Sequence, residues 1–165
     1  MQPARAAEWV RKLSLIGLIL RSNPCMFPRK GARESMALKS EIRKAILDKL
    51  KSSLEKQCPP MVCSKSNATC FEIIGNAPVP YGSSKKTVPG MYFASAVARK
   101  DMVSFYFMPI YYHRKDYVDI GPTLLKSLKG KACFNFRKVD QIDDNELDAL
   151  LKKGGEAWKK LGYMK

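Results

Sequence analysis

The chain has a single histidine, His113, and half as many acidic as basic residues, 15 against 30 among 165. Hydrolytic or metal-assisted chemistry at this histidine needs a partner carboxylate or a second ligand at a suitable spacing, and the sequence provides neither. No serine or cysteine nucleophile motif accompanies it. The sequence therefore gives no catalytic residues, and an enzyme that uses His113 with a tyrosine or a lysine is the weakest functional hypothesis.

Long apolar segments are also absent, which predicts that the chain has no transmembrane segment. The longest run, LSLIGLIL at 13–20, has eight residues, whereas a bilayer-spanning helix takes about 20. Residues 1–35 carry seven basic and two acidic residues, and no small-x-small cleavage site follows the apolar run. We expect 1–35 to be a disordered extension or to precede the native start at Met36. A basic presequence and an interfacial membrane anchor are the alternatives.

The cysteines lack any paired spacing. Their number is odd, no CxxC motif occurs, and gaps of five and seven residues do not suit a zinc knuckle. Free thiols in a reducing compartment are the default for this pattern, so we expect a cytoplasmic protein. The five cysteines are Cys25, Cys58, Cys63, Cys70 and Cys133.

What the chain has in excess is positive charge. The formal net charge is +15, and the basic residues are spread along the whole chain. A field of this sign attracts nucleic acid, acidic membranes or phosphorylated ligands. It equally keeps a small protein soluble.

The first half of the domain, which we place at 36–165, predicts a helix followed by short strands. Apolar residues recur at helical spacing with lysines opposite, and a cysteine with two prolines ends the helix. Two short strands with a turn at Ser66-Asn67 follow, and then a long loop rich in proline and glycine. The helix, the two strands and the loop cover 38–57, 61–65, 69–74 and 75–90.

The next segment predicts an aromatic hairpin with strands at 92–99 and 102–108. Alternation along the first strand puts Tyr92 on an alanine face and Phe93 on the opposite face with Ser95. The small alanine side chains leave room for a helix to pack closely. The alanine face consists of Ala94, Ala96 and Ala98. In the second strand one face carries Val103, Phe105 and Phe107, and the other carries Met102, Ser104, Tyr106 and Met108.

The remaining elements are a short helix at 122–128, a last strand at 132–137 and a final helix at 144–162. Gly154 lies on the apolar stripe of the final helix, which predicts close approach to the sheet. The predicted fold class is α+β: a two-layer sandwich in which the N- and C-terminal helices pack on one face of an antiparallel sheet of about five strands.

Three segments carry a resemblance to a known family. They are YFASAVARKDMVSFYFMPIYYH, PTLLKSLKGKACFNFRK and ELDALLKKGGEAWKKLGY. In these segments the chain resembles the YdhG-like domain family, over residues 36–165 and most strongly over 91–165. The resemblance implies a fold close to that of frataxin. Most of the family has no assigned function, and some members are labelled iron chaperones.

Iron is implied by the resemblance only. Iron prefers oxygen ligands, and the one dense acidic segment is 140–148. Its weak metal candidates are Asp143, Asp144 and Glu146. A different interpretation of the same residues is a capped helix start, where negative charge suits the helix dipole.

Basic residues at predicted loop and strand ends are interleaved with tyrosines. Such a pattern can bind nucleic acid through phosphate contacts and base stacking. The alternative is that the aromatics fill the core while the lysines solvate its rim. The candidate ligand-binding residues are Lys85, Lys86, Tyr92, Tyr106, Tyr111, His113 and Lys131. The wider basic set adds Arg99, Lys100, Lys129, Arg137 and Lys138.

The sequence thus predicts a small non-enzymatic binding or carrier protein. An anion- or nucleic-acid-binding module that uses the basic surface is the alternative. Whether the face of the two hairpin tyrosines is covered distinguishes a ligand-binding surface from residues that only stabilise the fold. If helices cover the face that carries Tyr92 and Tyr106, the residues are core; if the face is open, ligand binding is favoured.

Overall fold

A long N-terminal helix contributes the first layer of the fold. The computed structural model describes residues 31–81 and 86–165, and Ala32–Lys165 form one compact unit. Helix α1 spans Gly31–Glu55, so it begins seven residues before the predicted start at 38. Its apolar stripe is buried as predicted and consists of Ile46, Leu47, Leu50 and Leu54. The prediction for residues 1–30 lies outside the described residues.

Six antiparallel strands form the main sheet, in the order β1-β2-β5-β6-β8-β7. A second sheet is the small hairpin β3-β4. The strands are β1 (Val62–Asn67), β2 (Cys70–Ile74), β3 (Val79–Tyr81), β4 (Lys86–Val88), β5 (Tyr92–Ala98), β6 (Val103–Phe107), β7 (Leu128–Lys129) and β8 (Cys133–Phe136).

The other helices follow the aromatic hairpin. Helix α2 (Met108–Tyr112), helix α3 (Pro122–Ser127) and helix α4 (Asp144–Lys160) are α-helical. Two short 3₁₀ helices span Arg114–Tyr117 and Val139–Gln141. No helix in the part of the chain that the structure describes is long and apolar enough to cross a membrane.

Helices α1 and α4 pack on the same face of the sheet, as predicted. Ion pairs join them, with Lys49 Nζ 3.1 Å from Asp144 and Lys56 Nζ 3.7 Å from Asp148. Gly154 confirms the predicted close approach, because a Cβ there would overlap the ring of Phe107. Most hairpin aromatics are therefore core. The fully buried aromatic residues are Phe93, Phe105, Phe107, Phe134, Phe136 and Trp158.

The predicted loop at 75–90 is wrong in part. Val79 pairs with Val88 across the β3-β4 hairpin, and Val79 joins the core. The strands have three residues each, which is too short for alternation to stand out beside prolines. The two-residue strand β7, the sixth strand of the sheet, was missed for the same reason.

Candidate functional site

The sheet face opposite α1 and α4 carries the candidate site, and we call it the uncovered face. Residues directly opposite each other on neighbouring strands share a face. The cross-strand pairs on this face are Lys65 with Glu72, Glu72 with Ser95, Ser95 with Tyr106, Tyr106 with Cys133, Ser104 with Asn135, and Cys133 with Lys129. None of these side chains belongs to the apolar cluster that the helices form with the sheet. These side chains therefore point away from the core that α1 and α4 form with the sheet.

Tyr92 lies on the uncovered face, and its predicted face was wrong. The pairing of β2 with β5 slips, because Ile73 pairs with Ala94 whereas Ile74 pairs with Tyr92. The extra residue, Phe93, turns into the core with Ala94. Tyr92 is thereby moved to the other side, where its hydroxyl lies 2.5 Å from Ser95 Oγ. A bulge of this kind cannot be read from alternation alone.

The tyrosine side chains lie over the sheet. Ser95 and Ser104 are only 3% and 4% exposed, so their hydroxyls are shielded from solvent. Tyr106 is the cross-strand partner of Ser95, and Arg99 donates a 3.1 Å hydrogen bond to its hydroxyl. Burial raises the pKa of Tyr92 to about 12, which keeps this phenol protonated at neutral pH.

A cavity of about 240 Å³ opens where the uncovered face ends, between α3, β8 and the second 3₁₀ helix. We call it the donor-lined cavity. Three of its side chains are cationic and none is acidic. Its lining consists of Met102, Lys126, Ser127, Lys129, Asn135, Arg137 and Gln141.

Both amide side chains of this cavity have their oxygen already engaged. Gln141 Oε1 accepts from the backbone N–H groups of Arg137 and Lys138 at 2.7 and 3.0 Å. Asn135 Oδ1 accepts from Ser104 Oγ at 2.9 Å and from Cys133 Sγ at 3.5 Å. Each amide thus keeps only its NH₂ group for a ligand. The cavity offers cations and hydrogen-bond donors, which suits an anion with several oxygens.

The thiol beside this cavity stays protonated. Burial raises the pKa of Cys133, and hydrogen bonds from Tyr106 and Ser104 and the charge of Arg99 oppose that shift only in part. A thiol rather than a thiolate is a weak donor and a poor nucleophile. Cys133 therefore helps to orient Asn135 and does not provide a reactive thiolate.

The other predicted ligand residues lie apart from the donor-lined cavity. Lys131 Nζ lies 5.4 Å from the ring centroid of Tyr111, and Tyr111 is 53% exposed. Lys86 is exposed on β4, and Lys85 lies outside the described residues. The structure thus brings Tyr92 and Tyr106 together on one face and pairs Tyr111 with Lys131.

His113 lines a different cavity, of about 420 Å³, between the first 3₁₀ helix and α4. Its Nδ1 lies 4.0 Å from Asp116 Oδ2, which is too long for a hydrogen bond. The same lining holds both Lys153 and Glu156 and contains no serine or cysteine. The cleft also contains Tyr117 and Lys153, but Asp116 does not orient the histidine, and Lys153 Nζ pairs with Asp119 at 2.7 Å.

The weak metal candidates are all engaged within the protein. Asp143 Oδ1 accepts from the backbone N–H of Glu146 at 3.0 Å and so caps α4. Asp144 pairs with Lys49, and the Glu146 carboxylate accepts from the backbone N–H groups of Thr123 and Leu124. Across 31–81 and 86–165, no group of three or more His, Cys, Asp or Glu side chains converges to hold a metal ion. The helix-start interpretation accounts for these carboxylates.

Comparisons with known proteins do not assign the chain to a family. No family model, curated protein or solved structure matches the chain. The YdhG-like resemblance therefore stays a prediction that rests on the segments quoted above.

Sequence reasoning found part of the donor-lined cavity. Lys129 and Arg137 belonged to the predicted basic set, but Asn135 and Gln141 were missed. One signal was present: polar Cys133 and Asn135 alternate with buried Phe134 and Phe136. Nothing in the sequence says which way an amide turns, and that orientation is what makes both amides donors toward the cavity.

Proposed function

We propose that this protein is a small non-enzymatic binding protein whose ligand is a phosphate-bearing anion held in the donor-lined cavity. The observation that carries the proposal is the lining itself: three cationic side chains, two amides whose oxygens are occupied, and no carboxylate. Charge-assisted hydrogen bonds to phosphate oxygens are about twice as strong as neutral ones. A cavity of this composition repels cations and binds neutral acceptors less strongly than anions.

Binding rather than catalysis fits the chemistry of the lining. A general base must accept a proton, and the cationic and amide groups of this cavity act as donors. Ser127 is buried with no histidine or carboxylate in the lining to act as its general base, and the nearby Cys133 is a protonated thiol. The reactive groups that phosphoryl transfer or hydrolysis would require are therefore not supplied by this cavity.

We also propose that the protein belongs to the YdhG-like family and that it is cytoplasmic. Helices on one face of an antiparallel sheet agree with the fold expected from the YdhG-like resemblance. A role in iron handling has less support, because the cavity is positive and the candidate carboxylates are engaged. The four described cysteines are free, which suits the reducing cytoplasm as the compartment.

Calorimetric titration with inorganic pyrophosphate at low salt tests the proposal. The wild-type protein should bind with saturable heat. The variant Gln141→Glu replaces the free NH₂ by an anionic oxygen while it keeps an acceptor for the N–H groups of Arg137 and Lys138. We expect it to lose about tenfold or more in affinity, since a charge-assisted hydrogen bond contributes roughly 1.5–3 kcal/mol.

A matched control separates local chemistry from net charge. Gln57→Glu makes the same change of charge near the end of α1, outside the lining of the cavity, and should leave pyrophosphate affinity within about twofold. Equal losses in the two variants, or no saturable binding by the wild-type protein, would contradict the proposed function.

A further inference from the structure

The uncovered face continues the donor-lined cavity toward the opposite edge of the sheet. Asn135 lines the cavity and is the cross-strand partner of Ser104. Tyr106 lies two residues further along β6, which is about 7 Å at the usual rise of a strand. The side chain of Tyr106 therefore lies about one nucleotide away from an anion bound in the cavity.

The charge on this face is mostly positive. The basic side chains at its surface and rim are Lys65, Arg99, Lys129 and Arg137. Glu72 is the acidic member among the paired residues, and its Oε1 accepts a 2.6 Å hydrogen bond from Ser64 Oγ. Phosphate contacts to such a row of cations supply most of the affinity for a nucleic acid backbone.

The dimensions of the face suit a strand of nucleic acid laid across it. From β8 to β1 the sheet has four inter-strand steps, which is about 19 Å at the usual strand spacing. Stacked nucleotides of one strand advance about 3.4 Å each. The face is thus long enough for several nucleotides between the donor-lined cavity and Lys65.

Aromatic side chains are available where bases would lie. Tyr92 and Tyr106 are half-buried, the Tyr92 hydroxyl lies 2.5 Å from Ser95 Oγ, and Arg99 donates a hydrogen bond to the hydroxyl of Tyr106. Stacking on such a platform needs unpaired bases, because the bases of a duplex are already stacked and paired.

From these observations we infer that the phosphate-bearing ligand is single-stranded nucleic acid. One phosphate occupies the donor-lined cavity, the adjacent base stacks on Tyr106, and the chain crosses the strands toward Lys65. The inference rests on the proposed function, since it assigns a class of ligand to the same cavity. The tyrosine platform, and not the cavity alone, then determines the preference for this ligand.

Fluorescence anisotropy with labelled hexathymidylate, run beside the pyrophosphate titration, tests the inference. The oligonucleotide should bind at least about tenfold more tightly than pyrophosphate. Tyr106→Leu should weaken oligonucleotide binding about tenfold, as expected for loss of one stacked base, and should leave pyrophosphate affinity unchanged. Tyr106→Phe keeps the ring and should keep the oligonucleotide affinity, which controls for loss of the hydroxyl. Each phosphate contact should add about −0.7 to the slope of log affinity against log salt.

Three results would overturn the inference while the proposed function stands. They are saturable pyrophosphate binding with no tighter oligonucleotide binding, an oligonucleotide affinity unaffected by Tyr106→Leu, and equal competition by duplex DNA. Absence of pyrophosphate binding, in contrast, counts against the proposed function itself. Unchanged pyrophosphate binding by Tyr106→Leu also shows that the variant is folded.

Discussion

At the scale of single residues, Gly154 sets how closely α4 approaches the sheet. A Cβ at this position would overlap Cζ of Phe107 and lie 2.9 Å from its Cε2 and 3.1 Å from Cε2 of Phe93. Both rings are fully buried and pack edge to face at a centroid distance of 5.3 Å. Because neither ring can move without disturbing the core, only glycine fits here.

The substitution Gly154→Ala should therefore lower the free energy of unfolding by about 1–3 kcal/mol, the usual cost of overpacking. Urea denaturation measures this change. The next residue provides the control, because a Cβ on Gly155 would meet only Met164 Cε, at 3.9 Å. Gly155→Ala should be neutral or stabilise the protein by about 0.5–1 kcal/mol. Equal losses for the two variants would contradict this account of α4 packing.

Two buried phenols make stability depend on alkaline pH. Burial raises the pKa of both Tyr92 and Tyr117 to about 12, from an ordinary value of 10.0. Between these values the unfolded chain has lost the protons that the native state retains, so a rise in pH favours unfolding. The stabilising contribution is complete below pH 10 and is lost as the pH approaches 12.

Urea unfolding at a series of pH values checks this prediction for Tyr92. The free energy of unfolding of the wild-type protein should fall from pH 10 to pH 12, and the fall should be smaller in Tyr92→Phe. The exposed Tyr111 provides the control, and Tyr111→Phe should retain the wild-type slope. A slope that is the same in all three proteins would show that Tyr92 titrates alike in the folded and unfolded states.

At the scale of elements, Glu146 joins two helices. It lies in the first turn of α4, and its carboxylate accepts from the backbone N–H groups of Thr123 at 3.2 Å and Leu124 at 2.8 Å, at the start of α3. Helix α3 has no side-chain cap of its own. The carboxylate therefore satisfies N–H groups that a short helix would otherwise leave without partners.

Glu146→Ala should cost about 0.5–2 kcal/mol of stability, as loss of a helix cap usually does. Because α3 contributes Lys126 and Ser127 to the donor-lined cavity, pyrophosphate affinity should fall as well. Glu156→Ala, at an exposed position of the same helix, should change neither. Thermal unfolding and calorimetry measure the two effects, and a Glu146 variant with wild-type stability would remove the capping role.

The long amphipathic elements were predictable because their patterns are strong. The stripe of α1, the aromatic hairpin and the acidic start of α4 each follow from periodicity and capping rules. The short strands β3, β4 and β7 were missed because two or three residues carry no periodicity. The face of Tyr92 was wrong because one extra residue in β5 reverses the alternation.

The candidate site was predictable only in part, for a physical reason. Tyr106 and Arg137 could be named from composition and position. The cavity itself draws on α3, β7, β8, the second 3₁₀ helix and Met102, and tertiary packing alone brings these together. The donor character of Gln141 depends on the backbone N–H groups that hold its oxygen.

At the scale of the whole molecule, the net charge of +15 raises the question of whether anions bind everywhere or at one place. A general field would respond to any loss of positive charge, within the limits of salt screening. If anions bind in the donor-lined cavity, their affinity should fall only when the residues that line this cavity are replaced. The double variants Lys129→Gln/Arg137→Gln and Lys152→Gln/Lys159→Gln have the same net charge and therefore distinguish the two cases.

We expect the first double variant to lose about a hundredfold in affinity for hexathymidylate, at roughly tenfold per charged contact. The α4 double variant should lose less than about threefold. Anisotropy titrations at one salt concentration give both values. Similar losses would mean that the protein binds anions through its overall field.

The most direct test of the central claim is chemical-shift mapping of pyrophosphate on the isotope-labelled protein. We expect the perturbed backbone amides to form one group around the donor-lined cavity, at Ser127–Lys129, Asn135–Arg137 and Gln141. The lysine-bearing surfaces of α1 and α4 should stay unperturbed. Perturbations centred on those helices, spread evenly over basic residues or absent would contradict the claim that this cavity is the anion site.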